Sequence, residues 1–166
     1  MATNHDDTKI RFTSEGAVKH GLGLVPMQRM KLQITTADLT AAATTDTVDF
    51  ASTLPDGSLL MGISYDLIEV FAGGSVTACV VDLGDGTNAD RFIDNVDIFT
   101  GATTGFAFET ADTVGDGADT GGLPLQLTAA TTFRATVTST TDDVDQLTTG
   151  ILNIYLDYYY PQDPTA

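Results

Sequence analysis

From Met30 onward, apolar and polar residues alternate with period two more often than with the period of a helix, the pattern of strands lying on a core. In Met30–Thr35, Met30, Leu32 and Ile34 point one way and Lys31, Gln33 and Thr35 the other. Asp46–Phe50 repeats the pattern with Val48 and Phe50 inward, as does Thr132–Thr138 with Phe133, Ala135 and Val137 inward. Gly150–Tyr158 is the last strand, with Leu152, Ile154, Leu156 and Tyr158 on one face. The longest β-rich stretch is Ser58–Gly84, two apolar runs joined at Ala72-Gly73-Gly74. Glycine reaches positive φ without a Cβ clash, so this stretch reads as a β-hairpin and as the spine of the fold. Within it Ile63, Tyr65 and Leu67 share one parity while Ile68 and Val70 take the other, which predicts a bulge or a strand covered on both faces.

The connections carry turn chemistry or shorter signals. Leu54-Pro55-Asp56-Gly57 has proline and then Asp-Gly in the order of a tight turn. Thr36–Ala43 reads as a short helical turn or a loop, and Arg91–Phe99 as a strand or a helical turn. Phe106 and Phe108 mark a short strand, Thr113–Gly122 a glycine and aspartate loop, and Leu123–Leu127 an apolar run broken by Pro124. About eight strands at this spacing predict an all-β fold, a jelly-roll-like antiparallel β-sandwich with an extended N-terminal arm. The divisions are an arm over residues 1–29, a body over 30–160 and a short C-terminal tail over 161–166. The length of 166 residues suits one domain.

Composition agrees with strands, since 28 threonines stand against very few Lys and Glu. The formal net charge is -16, and it is unevenly spread. Residues 1–31 hold five basic groups against three acidic ones, net +2, which leaves two against twenty, net −18, for the rest. So negative a body repels phosphate backbones and anionic lipid surfaces, which argues against nucleic acid and membrane as partners. The N-terminus lacks the apolar core of a signal peptide, and no run reaches the roughly 18 apolar residues of a span, so the chain is expected to be made in a cytoplasm and not secreted by this route. Its first segment mixes Lys9, Arg11, Lys19, Arg29 and Lys31 with Phe12, Leu24 and Val25, the means to dock on an acidic partner surface; a flexible tail is the other reading.

Catalytic constellations are missing. Both histidines, His5 and His20, lie in the arm, which leaves the body without an imidazole base, and Cys79, the single cysteine, reads as a small core residue. Carboxylate pairs remain, but they sit in glycine-rich loops and there is no Trp to stack on a sugar, so the chain is not expected to be an enzyme. Asp82, Asp85, Asn88 and Asp90 put four oxygen ligands of the kind Ca2+ takes within nine residues, with Asp116 and Asp119 as a second group. The spacing is not that of an EF-hand, and a solvated acidic loop with no cofactor is the alternative. Of the C-terminal tyrosines, Tyr158 is expected to cap the core. Tyr159 and Tyr160 suit a subunit interface or pack under a loop of their own chain.

The succession of LQITTADLTAAATTDTVDF, LPDGSLLMGISYDLIEVFAGGSVTACVVDLGDGTNADRF and LTTGILNIYLDYYY resembles small threonine-rich β proteins encoded among the virion structural genes of tailed bacteriophages. The likeness spans residues of about 30 to 160 and rests on the Gly-Gly turn, the Gly-Asp loop after it and the Leu147-Thr148-x-Gly150 approach to the last strand. It implies a capsid decoration, or cement, protein exposed on the capsid surface of the virion and bound to the major capsid protein, a homo-oligomer and often a homotrimer. A tail or fibre component with a carbohydrate-binding jelly roll, and a head-to-tail connector, are the alternatives.

Overall fold

A computed structural model describes residues 26–100 and 123–160. They form eight strands: β1 (Gln28–Thr35), β2 (Thr45–Asp49), β3 (Leu59–Ala72), β4 (Ala78–Asp85), β5 (Ile93–Asp97), β6 (Leu125–Gln126), β7 (Phe133–Thr140) and β8 (Thr149–Tyr159). Two single 3₁₀ turns, Thr36–Asp38 and Val144–Gln146, are the helical elements among the described residues. In the first, Asp38 reaches back to the Thr35 N–H at 2.8 Å and ends the strand with a cap.

The strands make two four-stranded antiparallel sheets, a first sheet ordered β1-β8-β3-β6 and a second ordered β2-β7-β4-β5. β1 pairs with β8, β2 with β7, β3 with β6 and β4 with β5, so the chain is a doubled ribbon wound into a jelly-roll-like sandwich. The alternation read from the sequence is the inward face of each strand. Leu32 and Ile34 of β1, Leu60, Ile63, Leu67 and Phe71 of β3, and Leu152, Ile154 and Leu156 of β8 are buried against Cys79, Val81 and Leu83 of β4 and Phe133, Ala135 and Val137 of β7. Phe133 anchors one end, edge-on to Phe50 at 6.3 Å and tilted against Phe92 at 5.2 Å. Each such buried side chain contributes about 1.5–3 kcal/mol of transfer free energy.

β3 and β4 do not form the expected hairpin; they belong to different sheets. Gly73 and Gly74 do take positive φ, +150° and +52°, but the turn they make is an arch across the core. On its two sides the Phe71 N–H goes to Ile98 O and the Thr77 N–H to Thr140 O, and neither reaches the other arm. β1 begins at Gln28, two residues earlier than the alternation indicates. Arg91–Phe99 resolves as strand β5, in which Asn95 adopts a φ of 51° and breaks the alternation. The strand expected around Phe106 and Phe108 and the loop Thr113–Gly122 lie outside the described residues.

The parity change inside β3 is a bulge, and it has companions. β3 has 14 residues facing the 11 of β8, and the excess of three is taken up at three register shifts, Leu60/Gly62, Leu67/Glu69 and Glu69/Ala72. At the first two the additional residues are Met61 and Ile68, which are turned outward, 37% and 51% exposed.

Candidate functional site

The sandwich presents two outer faces of unlike chemistry. On the second sheet, Thr45 and Thr47 of β2 lie opposite Thr138 and Thr136 of β7, and the Thr45 and Thr138 hydroxyls are 3.3 Å apart. Asp49 pairs with Arg134 in the same row. The hydrogen bond from Arg134 holds the Asp49 carboxyl below its ordinary pKa and the guanidinium above its own, but both side chains are nearly half exposed, so water screens the pair.

At the β4–β5 side of this sheet acidic groups gather. Asp82 accepts the Asn95 N–H at 2.6 Å, yet its pKa is pushed up, first by burial and then by the charges of Asp94 and Asp90. Asp97 is spent on its own turn, taking the N–H groups of Phe99 and Thr100.

The four oxygen ligands singled out in the sequence do not converge. Asp82 lies opposite Thr136 on the outer face of β4, whereas Asp85 lies opposite the inward Phe133. Asp85 Oδ1 accepts the N–H groups of Thr87 and Asn88 at 2.8 and 3.0 Å, and Oδ2 accepts Arg91 Nη1 at 2.7 Å. Asn88 Oδ1 accepts the Asp90 N–H at 3.3 Å. The loop thereby uses its oxygens on itself. Among the described residues no group of three or more His, Cys, Asp or Glu side chains gathers as a metal site. Asp116 and Asp119 lie outside the described residues.

Beside this loop a cleft of about 510 Å³ runs between Asp85–Arg91 and Leu125–Thr132, lined by threonine hydroxyls, alanines and the Asp85–Arg91 pair. Cys79 is buried in the core, its thiol pushed up to about 12 by burial and then by the Asp97 charge, and is unreactive at neutral pH.

The outer face of the first sheet is mixed. Arg29 of β1 makes a bidentate contact with Asp157 of β8 at 2.7 and 2.8 Å and lies over the Tyr155 ring at 5.2 Å. Lys31 Nζ lies over the same ring at 5.9 Å. Gln33 donates to Asn153, and Asn153 and Ser64 are buried although they point away from the core. Arg29, assigned to the arm, is therefore a strand residue of the body, as is Lys31. The other six, Lys9, Arg11, Phe12, Lys19, Leu24 and Val25, lie outside the described residues, as do His5 and His20. Without Arg29 and Lys31, residues 1–27 hold three basic groups against three acidic ones, and the segment before β1 has no net charge.

The tyrosines divide by parity. Tyr158 packs on the core and donates its hydroxyl to Gln28 at 2.9 Å. Tyr159 is half-buried opposite Leu59, and Tyr160 is 37% exposed where β8 ends. Met61 and Ile68 were not singled out from the sequence. The parity change in β3 was the available signal, because a bulge residue has no place in the core.

No family model matches the chain, and no curated protein does. Among solved structures it is similar to a chain of the cyanophage Pam1 capsid asymmetric unit, with a TM-score of 0.55 and 20% sequence identity over 96% of this chain and 100% of that one. At that identity the two share a fold.

Proposed function

We infer that the chain is a structural protein of a bacteriophage virion, associated with the capsid, and that it acts as a decoration protein on the outer surface of the assembled head. The observation that carries this reading is the correspondence in fold with a component of the cyanophage Pam1 capsid asymmetric unit, which takes in that chain from end to end.

The partner in this reading is the major capsid protein. The chain binds the assembled lattice in preference to free subunits, and by mass action that preference stabilises the lattice, by about 2.7 kcal/mol per site at a free concentration of 100 Kd. The apolar and basic residues before β1, Lys9, Arg11, Phe12, Lys19, Leu24 and Val25, supply contacts to the shell. The acidic body faces outward and keeps particles apart.

The test is to add the purified chain to heads that lack it, and to follow both co-sedimentation and the temperature at which heads release their DNA. Saturable binding with a higher release temperature is expected. Binding to tails or to the head–tail junction in place of the shell would move the assignment to a tail or connector protein.

A further inference from the structure

Among the described residues the large exposed apolar side chains gather on the first sheet and its flanks. They are Met27, Met61, Ile68 and Tyr160; Met61 and Ile68 are bulge residues of β3, Met27 directly precedes β1 and Tyr160 directly follows β8. All belong to the first sheet or its flanks, and the outer face of the second sheet has none. A strand that loses its alternation to expel two apolar residues forgoes their burial in its own core, and that loss is recovered when another surface covers them.

Charge indicates which surface. With a net charge of -16, two copies repel each other over most of their area. The outer face of the second sheet carries Asp49, Asp82 and Asp97 against Arg134 and would oppose itself. The first sheet differs: Arg29 is neutralised by Asp157, Lys31 on β1 has its ring contact with Tyr155, and Asp66 and Glu69 stand on β3, beyond the intervening strand β8. Cation and anions thus occupy opposite sides of the same face, with Tyr155 between them.

We propose that this face, centred on Tyr155 and bounded by Lys31, Met61, Asp66 and Ile68, docks on the same face of a second copy of the chain. A face covers its own copy only about a twofold axis. An axis running along β8 sets β1 of one copy over β3 of its partner, which brings Lys31 towards the partner's Asp66, buries Ile68 and Met61, and stacks Tyr155 on its counterpart. The contact deepens the assembly reading above, yet needs no shell to form.

Sedimentation of the purified full chain at near-physiological salt tests it. Twice the chain mass is expected. Ile68→Asp and Lys31→Glu should each weaken the dimer about tenfold or more, and Lys31→Glu combined with Asp66→Lys should restore it. Thr136→Asp, on the other face, should leave the mass unchanged. All these positions are on outer faces, and circular dichroism verifies that each variant is folded. A monomeric wild-type chain overturns the proposal, as does an oligomer indifferent to Ile68→Asp and Lys31→Glu. A dimer that appears only when residues 2–25 are removed would assign the face to the chain's own N-terminal segment, and also overturns it. Shell binding by Ile68→Asp separates the two readings, since a monomeric variant that still decorates heads leaves the capsid role intact.

Discussion

Gly150 and Phe71 occupy space that only one side chain can fill. A Cβ on Gly150 would lie 2.4 Å from Cδ1 of the Phe71 ring, and the backbone there has a φ of +144°. Phe71 is brought to this position by the last register shift of β3, so the glycine at the start of β8 and the bulge opposite it are a matched pair. Gly150→Ala combines backbone strain with overpacking and should destabilise the fold by about 2 kcal/mol or more. Urea denaturation would measure it, and an unchanged midpoint would mean that Phe71 has another place to go.

Leu67 sits at 1% exposure between the two sheets. Leu67→Ala leaves a cavity under β3 and should cost about 2–5 kcal/mol. Val81→Ala, in the facing sheet, removes less volume and should cost less. Thermal melts of both should stay single transitions, because the two sheets share one core.

Asp82 and Asp46 should respond to pH in opposite directions. Folding raises the pKa of Asp82, so its contribution to stability is fullest below the ordinary carboxylate value of about 3.9 and is lost as pH rises through the folded value. Asn at position 82 keeps an oxygen for the Asn95 N–H, and Asp82→Asn should therefore melt above the wild type at pH 7, with the gap closing in acid. At Asp46, burial opposes ionisation most strongly, but the N–H groups of Ala41, Thr47 and Thr40 together outweigh it and lower the pKa. Its contribution is complete above the ordinary value and is lost as pH falls through the lowered one. Asp46→Asn should melt below the wild type at neutral pH and converge with it in acid.

Removal of residues 2–25 should leave the melting temperature unchanged, since the β1–β8 ladder begins at Gln28. The same truncation should weaken attachment to heads. Full retention of head binding would mean that the contact lies on the body.

Calcium and a chelator should give the same melting temperature. Asp85 already receives two backbone amides and a guanidinium, and a cation would have to displace Arg91 to use it.

Much of the strand plan was legible because alternation is a local property. β1, β7 and β8 each carry an inward row that matches the buried residues and β2 a half-buried one, and the broken parity after Leu67 marks a real bulge. Pairing is a different matter. A glycine pair after Ala72 permits a tight reversal within one sheet and an arch between two alike. What selects the arch is that Phe71 finds Ile98 and Thr77 finds Thr140, partners 27 and 63 residues away. The boundary at residue 29 left Arg29 in the arm for the same reason, because the Asp157 that holds it lies over 120 residues further on. Outward-facing apolar residues were hidden by the bulges, which move a side chain from one face to the other without altering its type.

The pairing of the first strand with the last has a consequence for how the protein is made. Arg29 waits for Asp157, 128 residues downstream, and at elongation rates of about 5–20 residues per second that is an interval of roughly 6 to 25 seconds. Until β8 has been synthesised, β1 has no neighbour and the first sheet lacks the strand between β1 and β3. Loops of this length close slowly compared with local turns. The first sheet is therefore completed only once β8 has been made, and a chain terminated before Thr149 lacks the strand that joins β1 to β3.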